Sequence, residues 1–106
     1  MRTTVFVTKW QYDKLKKLCL EDKVSFQDEI KRAVLTFFED KVPLTLISDP
    51  LTSHKKSGLI KIILLIDDEL DQSIKKISEI SNTKKSMIIR KAISYYLFRK
   101  GKYGDL

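Results

Sequence analysis

The chain runs to 106 residues, 42% hydrophobic and 33% charged with three glycines and two prolines, which fits one globular domain and argues against disorder. One cysteine (Cys19) and one histidine (His54) exclude an intrachain disulfide, a thiolate metal cluster and a His-built zinc or triad site, so no metal, cofactor or catalytic group is expected. The formal net charge of +7 points to a polyanionic partner, nucleic acid ahead of an anionic lipid surface.

In chain order, the first element is a short strand over Thr3–Val7, β-branched and aromatic. Thr8-Lys9-Trp10-Gln11 stops it with a capping-box pattern and makes Thr8 the N-cap of a helix. Leu15, Leu18 and Cys19 follow at helical spacing, and Cys19 on that stripe reads as a buried structural thiol. After a break near Asp22–Ser25, Ser25 with Asp28 reads as a second N-cap. Ile30, Ala33, Val34, Phe37 and Phe38 then form the apolar stripe of an amphipathic helix.

Residues 40–58 hold both prolines, His54 and the Lys55-Lys56 pair, and read as a linker with a short extended piece at Leu44–Ile47. At about 3.3 Å per residue it reaches roughly 60 Å. A second strand covers Ile60–Ile66, whose apolar run is far too short to span a membrane. Met1–Thr8 has no apolar core of signal-peptide length, so an intracellular protein with no membrane partner is expected. Asp67 caps the next helix, with Asp68 and Glu69 at its positive end and Leu70, Ile74 and Ile77 on its stripe. A break at Ser81–Lys84, capped by Asn82 or Thr83, leads to Ile89, Ala92, Ile93, Tyr96 and Leu97, and Gly101 ends that helix.

The two halves repeat. An offset of 59 residues carries Val5, Val7, Leu15, Leu18, Ile30, Ala33, Val34, Phe37 and Phe38 onto Leu64, Ile66, Ile74, Ile77, Ile89, Ala92, Ile93, Tyr96 and Leu97, apolar on apolar throughout. The predicted fold is therefore mainly α with a two-stranded antiparallel ribbon, a β-α-α unit over 1–39 and another over 59–101, with a linker at 40–58 and a tail at 102–106. A unit of about 40 residues cannot bury a sufficient core, and a lone strand leaves its backbone groups unpaired. Pairing the two strands and closing four helices over one ribbon face removes both defects and makes one compact domain. That pairing can run within one chain or between two.

These features resemble the ribbon-helix-helix repressors (the Arc, MetJ and CopG type). The closest likeness lies in Ile60–Tyr96, with its alternating strand, acidic helix start and Lys84-Lys85-Ser86 before Ile89-x-x-Ala92-Ile93-x-x-Tyr96; Arg2–Phe38 is a looser match. The tandem form and the Lys- and Ile-rich composition resemble small regulators encoded by viruses of hyperthermophilic archaea, which would place the protein in a host cytoplasm. The resemblance implies a double-stranded DNA partner, with the ribbon in the major groove and alternate side chains facing the bases. The outward set is Arg2, Thr4 and Phe6 with Lys61, Ile63 and Leu65. Arg2 and Lys61 would donate to guanine, Thr4 would donate or accept, and Phe6, Ile63 and Leu65 depart from polar readers towards thymine methyls. The alternative for those three is packing on another chain or under the linker.

The resemblance also implies phosphate anchoring at the start of each unit's second helix, by Ser25 and Phe26 in one unit and by Thr83, Lys84 and Lys85 in the other. Residues 1–39 carry eight basic and six acidic side chains and residues 60–106 ten and six, so the second unit is expected to grip the backbone harder. By the same analogy, chains are expected to associate side by side on adjacent sites. A protein-interaction module, antitoxin-like or scaffolding, is the main alternative. A tandem helix-turn-helix protein leaves the strands unexplained. An enzyme with a small-molecule substrate is not expected, because no acid/base pair or Gly-rich phosphate loop is present.

Overall fold

Two strands, β1 (Arg2–Thr8) and β2 (Leu59–Leu65), pair antiparallel within the one chain, Arg2 opposite Leu65 and Thr8 opposite Leu59. The computed structural model describes residues 2–49 and 58–101; His54, the Lys55-Lys56 pair and the tail at 102–106 lie outside the described residues. Each strand leads into two helices, α1 (Lys9–Asp22) and α2 (Phe26–Glu39) after β1, then α3 (Asp68–Ser81) and α4 (Lys85–Arg99) after β2. The architecture is β-α-α twice, mainly α, and intrachain pairing answers the question that periodicity left open.

Local chemistry explains where the elements begin and end. Thr8 Oγ1 accepts from Gln11 N while Gln11 Oε1 accepts from Thr8 N, a reciprocal capping box. Asp67 accepts from Leu70 N and Ser25 from Asp28 N, two further side-chain caps. The repeat offset also relates the turns: Lys23 and Asn82 end α1 and α3 in the left-handed region, at φ 56° and 53°. Asn tolerates that conformation better than most residues, and Lys23 holds it with Val24 N donating to Cys19 O.

One face of the ribbon carries Val5, Val7, Ile62 and Leu64 into a core closed by Leu15, Leu18, Ile30, Ala33, Val34 and Phe37 from one half. Ile66, Leu70, Ile74, Ile89, Ala92, Ile93, Tyr96 and Leu97 close it from the other. The predicted stripes supply almost all of it, although Phe38 and Ile77 are only half-buried. Ile88 adds a wholly buried side chain beside the predicted stripe.

The expected extended piece in the linker is instead a 3₁₀ turn over Leu44–Leu46. Pro43 fixes φ at −65° just before it, and Leu46 N and Ile47 N donate to Pro43 O and Leu44 O. The turn sets Leu44 and Ile47 against the core, and Lys91 Nζ donates to Leu44 O at 2.9 Å. The linker is fastened again at each side: Asp40 accepts from Tyr95 Oη and Arg99, and Asp49 receives a two-pronged bond from Arg90 at 2.9 and 3.0 Å.

A polar pair lies inside the helical layer. Glu29 is wholly buried; its Oε1 accepts from Tyr96 Oη at 2.5 Å, while Glu29 Oε2 and Asp22 Oδ2 have no hydrogen-bond partner among the described residues, and Lys100 Nζ lies 3.8 Å from Asp22 Oδ2. Burial first, and the Asp22 carboxylate after it, push the Glu29 pKa above its ordinary 4.5, against the Tyr96 hydroxyl, which lowers it. A proton held on Glu29 gives Asp22 a donor. The unfolded chain releases that proton near the ordinary value and the folded chain keeps it. This contribution to stability is therefore full below pH 4.5 and is lost as pH rises through the folded value. Glu29→Gln keeps the acceptor for Tyr96 and adds an N–H towards Asp22. We expect it to stabilise the fold near neutral pH by about 1 kcal/mol and to flatten the decline, as read from urea unfolding at several pH values. An unchanged pH profile would mean that Glu29 is ionised in the fold.

Candidate nucleic-acid interface

The other face of the ribbon is open. Alternation along each strand places Arg2, Thr4, Phe6, Lys61, Ile63 and Leu65 on it, all exposed, while Val5, Val7, Ile62 and Leu64 between them are buried. The register sorts the outward six into rows: Arg2 beside Leu65, Thr4 beside Ile63, Phe6 beside Lys61. The repeat offset exchanges the two outer rows and carries Thr4 onto Ile63, so a local pseudo-twofold axis passes through the Thr4–Ile63 row.

Phe6, Ile63 and Leu65 keep 41%, 49% and 49% of their surface, so this strip packs neither under the described part of the linker nor into the core. Leu59, 46% exposed, lengthens it beyond Lys61 and starts the strand one residue before the expected Ile60. Opposite Leu59, Thr8 is buried because its hydroxyl caps α1. Lys9 N donates to Gly58 O at 3.1 Å and carries the pairing one step past the strand ends.

The starts of α2 and α4 are held against the outer edges of this ribbon. Gln27, in the first turn of α2, donates from Nε2 to Ile63 O at 2.7 Å and accepts at Oε1 from Leu65 N at 2.9 Å. At the offset position on α4, Ser86 Oγ accepts from Phe6 N at 3.2 Å. Arg90, one turn on, donates to Phe6 O at 2.9 Å. Side chains thus take up backbone groups that an edge strand offers to another strand, and they set each helix start beside the open face. Periodicity carries no sign of these bonds. The one available hint is polar residues, Gln27 and Ser86, standing at matching places of the repeat.

The residues expected to anchor phosphate differ between the units. Ser25 is the N-cap of α2 with its hydroxyl engaged by Asp28 N, and Asp28 places negative charge in that first turn. Phe26 is half-buried, its ring 5.2 Å from Tyr12, with Lys16 Nζ 5.2 Å above it. In the second unit neither Asn82 nor Thr83 caps α4. Asn82 ends α3, and Thr83 donates its hydroxyl back to Ser81 O, because the left-handed residue turns the chain one step later than composition implies. Lys84 is the N-cap and supplies no side-chain bond, so no capping side chain takes up the amides of the first turn there. The Lys84 ammonium is exposed, whereas Lys85 Nζ lies 3.6 Å from the buried Asp71 carboxylate. The more anion-ready helix start is therefore that of α4.

Among the described residues no group of His, Cys, Asp or Glu is placed to hold a metal ion, and no helix is long and apolar enough to cross a membrane. The fold and the open ribbon define a class: tandem β-α-α units, joined in one chain, that resemble the ribbon-helix-helix fold. No family model, curated protein or solved structure matches the chain.

Proposed function

We propose that the protein is a sequence-specific double-stranded-DNA-binding transcription regulator of the ribbon-helix-helix type, akin to the small regulators of archaeal viruses. In this reading the outward ribbon face enters the major groove and the starts of α2 and α4 meet the flanking phosphates. One observation carries it: Gln27 on one side and Ser86 with Arg90 on the other hold two helix N-termini at the two edges of one exposed ribbon face. An antiparallel ribbon fits the major groove, and helix N-termini favour anions. The net charge of +7 and the cations Arg2, Lys61 and Lys84 around that face match a polyanion. The protein acts by binding, without catalysis or cofactor, and chains associate on adjacent sites.

The test is duplex binding by fluorescence anisotropy across a salt series. Affinity is expected to fall steeply and linearly on logarithmic axes. Lys84→Ala is expected to weaken specific and non-specific duplexes alike and to lower the salt slope by about one. Lys85→Ala is expected to do less, because Asp71 already neutralises that ammonium. Equal effects of the two changes would mean that Lys85 leaves Asp71 when DNA binds. The exposed strip of Phe6, Ile63 and Leu65 favours a second reading, a protein-interaction module. Salt-independent failure to bind any duplex would select it.

A further inference from the structure

The rows of the open ribbon face carry more than a general affinity for DNA. Resting on the DNA-binding reading, we propose that this face reads a short, imperfect palindrome. It has a guanine at each end, on opposite DNA strands, and A·T pairs between them whose thymine methyls pack on Ile63 at the centre and on the inward sides of Phe6 and Leu65.

The register gives the layout. Arg2 and Lys61 occupy opposite corners of the face, related by the pseudo-twofold axis through Thr4 and Ile63. A groove-bound ribbon that shares its axis with the DNA dyad presents these two cations to opposite DNA strands, at equal distances from the centre. Arg2 and Phe6, which stands across from Lys61, are four residues apart on β1. At about 3.3 Å per residue the two cations are separated along the ribbon by roughly 13 Å, about four base steps of 3.4 Å. Guanine alone offers two acceptors on its major-groove edge, O6 and N7, which suits a cation at each corner.

Between and beside the cations the face is apolar. Phe6 and Leu65 fill the remaining corners and Ile63 half of the central row, with Thr4 as the one hydroxyl. Apolar side chains satisfy no donor or acceptor of a base, so a G·C pair beneath the central row, away from Arg2 and Lys61, leaves its polar edge groups desolvated without partners. The thymine C5-methyl is the one apolar group on the major-groove edge. The two ends also differ. Arg2 presents a planar fork that bonds O6 and N7 together, and Lys61 a single point charge, so guanine is demanded more strictly at the Arg2 end. The central row differs across the axis as well, Thr4 against Ile63, and this makes the palindrome imperfect.

Selection from a randomised duplex pool with the full chain, at moderate salt, is expected to enrich G and C about four steps apart, one on each side of A·T pairs. On the selected duplex, replacing the inner thymines by uracil removes only the methyls. Each one lost is expected to weaken binding about fourfold, the weight of one buried methyl. Ile63→Ala, an exposed position that leaves the core intact, is expected to abolish most of the uracil effect at the central step while Arg2 still discriminates guanine. Binding that prefers G·C beneath the ribbon, or is indifferent to uracil, overturns this operator pattern and leaves the DNA-binding reading in place. No binding to any member of the pool overturns both.

Discussion

Arg90→Met is expected to lower the unfolding free energy by about 3–5 kcal/mol, a large part of the 5–15 kcal/mol typical of a small domain. The Arg90 side chain is 8% exposed and that of its partner Asp49 10%. Arg90 also donates to Phe6 O on the edge of β1, and its own carbonyl accepts from the buried Gln11 Nε2 at 2.7 Å. Methionine fills a similar volume without the charge, so the substitution leaves the Asp49 carboxylate buried without its cation and Phe6 O without its donor. Adding Asp49→Leu removes the carboxylate that has lost the Arg90 cation and is expected to restore most of the loss, because replacing both members of a buried pair costs far less than breaking it. Chemical denaturation of the two single variants and the double variant reads the coupling. A loss below about 1 kcal/mol for Arg90→Met would mean that solvent screens the pair and that the linker is not fastened through Asp49.

Arg90 also shows why part of this structure was legible in the sequence and part was not. Local chemistry and periodicity set the caps Thr8, Ser25 and Asp67, the buried stripes and the alternation that turns Arg2, Thr4, Phe6, Lys61, Ile63 and Leu65 outward. Those features depend on neighbours within one turn or one pleat. The features that escaped join residues far apart in sequence. Arg90 with Asp49 spans 41 positions, Gln27 with Ile63 spans 36 and Glu29 with Tyr96 spans 67. Gln11 and Glu29 occupy places where a polar residue reads as helix surface, yet both are wholly buried because the other half supplies partners. The 3₁₀ turn at Leu44–Leu46 was missed for the same reason, since its Leu44 is drawn onto a core completed by α4. At the site, the outward face was readable from alternation. What lay out of reach was the fastening of α2 and α4 to the ribbon edges.

Expressed apart, residues 1–49 and 58–106 are each expected to be unfolded and to fold only when mixed, as a one-to-one heterodimer. Each half alone leaves its strand unpaired and the core open, since Val5 and Val7 close against Ile62 and Leu64 from the other half. Homodimers are disfavoured by the polar contacts that cross between halves. Glu29 meets the Tyr96 hydroxyl, and the repeat offset places Phe37 where Tyr96 stands and Ile88 where Glu29 stands. Pairing two first halves would bury Glu29 against Phe37 without its donor; pairing two second halves would bury the Tyr96 hydroxyl against Ile88. Gln11 likewise donates to Ser94 Oγ at 3.1 Å, and the offset puts Leu35 at the place of Ser94. Each unsatisfied buried group costs about 1–3 kcal/mol, and both copies of a homodimer carry the defect. Joining the halves sets their effective concentration near 1 mM, about a thousandfold above a micromolar mixture, worth roughly 4 kcal/mol. The intact chain is therefore expected to unfold at a midpoint independent of its concentration, and the mixed halves at a lower midpoint that rises with theirs. Cooperative folding of either half alone would show the core to be separable. A concentration-dependent midpoint for the intact chain would show that its strands pair between molecules. Because the covalent link guarantees that unlike halves meet, the ribbon is free to present two unlike strands, as the imperfect palindrome proposed for it requires.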